Sequence, residues 1–89
     1  MDFKRTFFSQ LQTLIRSGLS FSRAFELIIE GANTKEKALY VRIFDEVVSG
    51  KELWRSLEAD KAFTELDRSV VRIGEETGSL VDALEFLTD

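Results

Sequence analysis

Apolar side chains recur at helical intervals along almost the whole chain. Phe3, Phe7, Phe8, Leu11, Leu14 and Ile15 share one face of a first segment, with Lys4, Arg5, Gln12 and Arg16 turned away from it, the pattern of a helix that buries one side. Ser17-Gly18 ends that helix, because glycine accepts a left-handed terminal turn without a Cβ clash. A second helix opens at Ser20 as N-cap, carries Phe21, Ala24, Phe25 and Ile28 inward and stops at Gly31. Asn33-Thr34-Lys35-Glu36 reads as a capping box. The third helix then runs to about Ser49 and presents Tyr40, Val41, Phe44, Val47 and Val48. Gly50 breaks it, and a short fourth helix around Leu53, Trp54 and Leu57 fades into Ala59-Asp60-Lys61. Thr64 to Asp67 is another N-cap signature, after which Leu66, Val70, Ile73 and Thr77 follow at intervals of three to four. Thr77-Gly78 ends the fifth helix, and Ser79 with Asp82 caps a sixth that carries Leu80, Ala83, Leu84 and Leu87.

No stretch alternates strictly, so strands are not expected. The pattern predicts an all-α fold, a compact six-helix bundle built from three helical hairpins, with residues 1–89 as one domain. Phe7, Leu11, Phe25, Phe44, Val70 and Leu84 are the expected core.

An internal recurrence supports the pairing of helices. Ser17-Gly18 leads to Phe21, Ala24 and Phe25; Ser49-Gly50 leads to Leu53, Ser56 and Leu57; Thr77-Gly78 leads to Leu80, Ala83 and Leu84. Each is a hydroxyl residue, a glycine, a brief connection, then apolar-x-x-small-apolar. Physically that is a helix stop, a tight reversal and a new helix, whose small residue lets a neighbour approach. Duplication and the generic needs of a helical hairpin both account for it.

Composition narrows the function classes. The 89 residues contain no cysteine, histidine or proline, which excludes disulfides, Cys/His zinc sites and imidazole bases and suits helices joined by short glycine turns. No apolar run approaches the roughly 20 residues that cross a bilayer, so any membrane attachment is expected through segments outside this chain. The net charge is −4. Residues 1–34 are nearly balanced, with four basic and three acidic side chains, whereas residues 35–89 carry eight basic and thirteen acidic ones. A nucleic-acid partner needs clustered Lys/Arg against phosphates, and none is expected here.

The most unusual segment is Ile73-Gly74-Glu75-Glu76-Thr77-Gly78-Ser79-Leu80. Gly74 lies inside a helical pattern, where it costs about 1 kcal/mol relative to alanine, and so suggests close packing or a special contact. Glu75 and Glu76 stand at the C-terminal end of that helix, the unfavourable end for acids. Either both point into water or a partner compensates them. On the second reading Glu75→Ala leaves folding nearly intact and harms association. Catalysis is disfavoured, since adjacent helical residues diverge by about 100° and do not face a common substrate. Glu75, Glu76, Asp82 and Glu85 are oxygen-rich, yet lack the alternating spacing of a dedicated calcium loop; a solvated acidic face and a weak surface site both fit. No cofactor is expected, because no glycine-rich phosphate cradle is present: Gly74 to Gly78 lacks a following Lys-Ser/Thr. Trp54 suits core packing or, failing that, a protein interface.

Three landmarks in order resemble one known family. Gln10-Leu11 and Leu14, followed by Ser17-Gly18-Leu19-Ser20 and Ala24-Phe25, resemble its opening, a phenylalanine-led helix and then leucine, a small residue and Gly-Leu-Pro-Leu. Val48 to Leu53 with Ser56-Leu57 resemble its middle. Gly74-Glu75-Glu76-Thr77-Gly78-Ser79-Leu80 with Leu84 resembles its most specific stretch, Gly-Glu-x-Ser/Thr-Gly-x-Leu-x-x-x-Leu. The chain departs from the pattern at Leu19-Ser20-Phe21, where a proline-containing turn is usual, and at Ser56, where alanine is common. The family is that of the GspF/PilC platform proteins of type II secretion and type IV pilus machines.

The resemblance implies a six-helix domain, present twice at the cytoplasmic face of a bacterial inner-membrane protein. It implies a non-catalytic scaffold that contacts the secretion or pilus assembly ATPase and other platform subunits, with homo-oligomers compatible. Its signature residues here are Gly18, Gly50, Gly74, Glu75, Thr77, Gly78 and Leu80. Two other classes compete: a homodimeric helical regulator unconnected with membranes, and a small enzyme or metal-dependent module.

Overall fold

The computed structural model describes residues 3–88, so Met1, Asp2 and Asp89 of the expected 1–89 domain lie outside the described residues. Six α-helices follow one another: α1 (Phe3–Arg16), α2 (Phe21–Gly31), α3 (Thr34–Val48), α4 (Leu53–Ser56), α5 (Glu65–Thr77) and α6 (Leu80–Thr88). A 3₁₀ turn, Leu57–Ala59, extends α4. Among the described residues there is no strand, as the absence of alternation predicts. Each helix packs on its sequence neighbour, and α1 closes the circuit by packing extensively on α6. That closed ring is compatible with three hairpins 1–2, 3–4 and 5–6.

Local chemistry fixes the helix starts. Ser20 Oγ accepts from the Arg23 N–H at 3.1 Å, and Asn33 Oδ1 accepts from the Glu36 N–H at 2.9 Å. The full capping box forms at α5: Thr64 Oγ1 accepts from the Asp67 N–H at 3.1 Å and Asp67 Oδ2 accepts from the Thr64 N–H at 2.9 Å. At Asn33 only the forward bond forms among the described residues. The side-chain cap expected from Ser79 with Asp82 does not form among the described residues; the Ser79 carbonyl makes only the ordinary first helical bond, accepting from the Ala83 N–H at 3.1 Å.

The core is aromatic and centred on α1. Phe7 stacks on Tyr40 with centroids 4.9 Å apart and meets Phe25 and Phe63 edge-on at 5.6 and 6.1 Å. Such pairs add about 0.5–1.5 kcal/mol beyond area burial. Phe7, Leu11, Phe25 and Leu84 are fully buried as expected, whereas Phe44 and Val70 are only half-buried. Burial of Tyr40, then the nearby Glu36 carboxylate, pushes its phenol up to about 12.

Two helix faces differ from the expectation. On α3 the buried pair is Tyr40 and Ile43, while Val48 is 64% exposed. On α5 the inward residues are Asp67, Val71 and Gly74; Leu66 and Ile73 are 65% and 61% exposed. The apolar spacing of α5 is real, but a second face one residue round is the one that packs. Asp67 fits there because Lys4 Nζ reaches its Oδ2 at 2.9 Å across from α1.

Candidate functional site

The three hydroxyl-glycine reversals share one geometry. Gly18, Gly50 and Gly78 have φ of 100°, 111° and 73°. After each, the next N–H reaches back five residues: Leu19 to the Leu14 carbonyl at 3.3 Å, Lys51 to Glu46 at 3.0 Å, Ser79 to Gly74 at 2.8 Å. These bonds close a Schellman turn and satisfy carbonyls that a helix end leaves free. The preceding hydroxyl also turns back onto the helix. Ser17 Oγ donates to Leu14 O at 2.7 Å, Ser49 Oγ to Glu46 O at 2.8 Å, and Thr77 Oγ1 to Ile73 O at 2.7 Å.

At the third reversal two helices come into direct contact. A Cβ at Gly74 would stand 2.6 Å from Ala83 Cβ, 3.1 Å from Leu80 Cα and 3.2 Å from the Ser79 carbonyl. Gly74 therefore sets how closely α5 and α6 approach. Ala83 is the small residue of the third repeat; its counterparts Ala24 and Ser56 are fully buried. Ser56 is polar where the related pattern has alanine, and its Oγ donates to the Leu53 carbonyl at 2.7 Å. That bond is what makes a hydroxyl tolerable in the core.

Glu75 joins this reversal to the second one. Its Oε1 accepts from the Trp54 N–H at 2.8 Å and its Oε2 from the Leu53 N–H at 2.9 Å. These are the first donors of α4, and Glu52 at the N-cap gives them no side-chain bond. The compensation sought for an acid at the end of α5 is thus the start of α4. Glu76 behaves differently, accepting from Arg72 Nε at 3.0 Å on the exposed side. Trp54 sits beside this joint, half-buried against the core, with the Arg55 and Arg72 guanidinium carbons 4.6 and 5.0 Å from its ring centroid.

The signature residues Gly74, Glu75, Thr77, Gly78 and Leu80 therefore form one α5–α6 joint, and Glu75 links it to the helix that follows Gly50. Gly18 serves the α1–α2 reversal; among the described residues no hydrogen bond joins it to Glu75. Three of the four acids named for calcium are separately engaged, Glu75 with α4, Glu76 with Arg72 and Glu85 with Arg16 at 2.7 Å. Among the described residues no three carboxylates converge as metal ligands. The sequence carried no signal for the Lys4–Asp67 pair, since 63 positions separate its members.

Six helices, three matched glycine reversals and a glutamate that caps a neighbouring helix define a small helical domain. The protein F family of the type II secretion system matches residues 7–89, and the chain belongs to that family. The chain is also similar to the type 4 fimbrial assembly protein PilC of Pseudomonas putida, at 35% identity over 83 residues, or 91% of this chain. It spans about a fifth of that relative's length, 21%. Among the described residues no helix is long and apolar enough to cross a membrane.

Proposed function

We propose that residues 1–89 form one non-catalytic scaffold domain of a platform protein, displayed at the cytoplasmic face of a bacterial inner membrane. It contacts the secretion or pilus assembly ATPase or other platform subunits, and membrane spans outside this chain hold it in place. The family match over residues 7–89 carries this reading. The site geometry supports it. The signature acid Glu75 is engaged within the fold, so the motif works by shaping the domain, and the outer helix surfaces are left for partners.

The test uses the full-length platform protein in its host, with a photo-crosslinking residue placed in turn at exposed Arg42, Arg55, Ser69 and Phe86. Adducts with the assembly ATPase or another platform subunit, in cells that still secrete or piliate, are expected from at least one position. Active machines that give no such adduct from any of the four positions would sink the reading.

A further inference from the structure

Leu66, Val70, Ile73 and Thr77 repeat at intervals of four, three and four along α5, the spacing by which one helix addresses another. Inside this domain α5 packs inward through Asp67, Val71 and Gly74, which leaves Leu66, Ile73 and Thr77 of the stripe exposed and Val70 half-buried. Phe86 of α6, 63% exposed, continues the stripe across a shallow groove also lined by Val70, Ile73, Thr77, Asp82 and Ala83. A contiguous uncovered apolar face of this kind marks an interaction surface.

The charges around the groove decide what fits it. Residues 73–89 contain five acidic side chains and no lysine or arginine. Asp82 lines the groove, and Glu65 and Glu76, both exposed, flank the stripe on α5 by helical spacing. Among the described residues Glu76 pairs with Arg72, while Glu65 and Asp82 make no ion pair. A second copy of the chain docked through the same face would set acidic rim against acidic rim, since a two-fold interface brings each patch onto itself. An anionic bilayer would be repelled in the same way. We infer that the α5–α6 face receives an amphipathic helix of another protein, with its apolar ridge along Leu66, Val70, Ile73 and Phe86 and lysine or arginine at its flanking positions. This rests on the interaction reading above and gives the partner segment its chemistry.

Two synthetic 18-residue helical peptides test it against the 89-residue chain. Both carry the same leucine ridge; one is flanked by lysine and the other by glutamate. The lysine peptide is expected to bind at least tenfold more tightly, with amide shifts concentrated on residues 66–77 and 82–86 and affinity falling as salt rises. Ile73→Asp and Phe86→Ser, each at an exposed position and checked by circular dichroism, should each weaken it tenfold or more. Asp82→Lys combined with Glu65→Lys should reverse the preference between peptides. Equal binding of both peptides, or shifts on another face, overturns the inference. So does a sedimenting dimer that Ile73→Asp dissociates, or binding to phosphatidylglycerol vesicles that the same change abolishes. Crosslinking to the ATPase reports on the scaffold reading separately, so either can fail while the other stands.

Discussion

The Glu75 carboxylate spans the N–H groups of Leu53 and Trp54, at 2.9 and 2.8 Å, and so closes the start of α4 from a residue more than twenty positions away. A helix start is ordinarily capped by its own flanking side chain. Here Glu52 makes no such bond, and Glu75 substitutes for it. The expectation that truncating Glu75 would be nearly neutral for folding therefore reverses. Glu75→Ala should cost about 1–3 kcal/mol, the range for leaving part-buried donors unmatched at a cap. Glu75→Gln keeps one acceptor and should cost less. Urea denaturation of the 89-residue chain measures both, and a Glu75→Ala loss below about 0.5 kcal/mol, the size of an ordinary surface change, would contradict the capping role.

Gly74 tests the α5–α6 approach. An added Cβ would lie 2.6 Å from Ala83 Cβ, a separation that real side chains do not tolerate. Gly74→Ala should therefore destabilise by about 1–3 kcal/mol despite alanine's better helix propensity. Ala83→Gly in the same chain removes the nearest clash but not those with the Leu80 and Ser79 backbone. Thermal melts of the two single variants and the double variant should thus show partial rescue. Full additivity of the two losses would mean that the pair does not set the spacing.

How much of this was legible in the sequence depends on which kind of signal carried it. Helix number and most boundaries were readable because capping and stopping are local: Ser20, Asn33 and Thr64 at starts, Gly18, Gly50 and Gly78 at ends. The choice of face on α5 was not. Two stripes one residue apart compete there, and the apolar one faces outward while one holding an aspartate faces in. The buried aspartate is made acceptable by the local Thr64 N–H together with Lys4 arriving from α1, and nothing local announces the lysine. The signature was recognisable as a motif, and Gly74 as a close contact, but the recipient of Glu75 lies on another helix, more than twenty positions away. Phe63, fully buried beneath Phe7 and Phe8, follows a connection whose path could not be read from periodicity.

Gly78 separates backbone strain from packing. Its φ of 73° lies in the left-handed region, and a Cβ there would meet nothing within 4 Å. Gly78→Ala should then cost about 1 kcal/mol, all of it conformational. Gly78→Asn should recover part of that, since asparagine enters this region more readily. If alanine and asparagine melt identically to the parent, the left-handed turn is not what holds the reversal.

The Lys4–Asp67–Thr64 group should make acid stability depend on one buried carboxylate. Burial alone would raise the Asp67 carboxyl, but the Lys4 ammonium and the Thr64 N–H outweigh it and hold the group below its ordinary 3.8. A carboxyl depressed by folding contributes stability that is present above the unfolded value and lost as pH falls through the folded one. The loss therefore begins near pH 4 and continues below it. Asp67→Asn cannot ionise, so it should lower stability by about 1–3 kcal/mol near neutral pH, the range for unpairing a buried charged contact. Its stability should then fall less steeply than the parent's below pH 4. Glu52, which is also depressed, lies on the exposed side and contributes equally to both chains, so their difference isolates Asp67. Urea midpoints taken from pH 7 down to pH 2 should converge as Asp67 protonates in the parent. Parallel curves across that window would show that the carboxylate is no better held in the fold than in the unfolded chain.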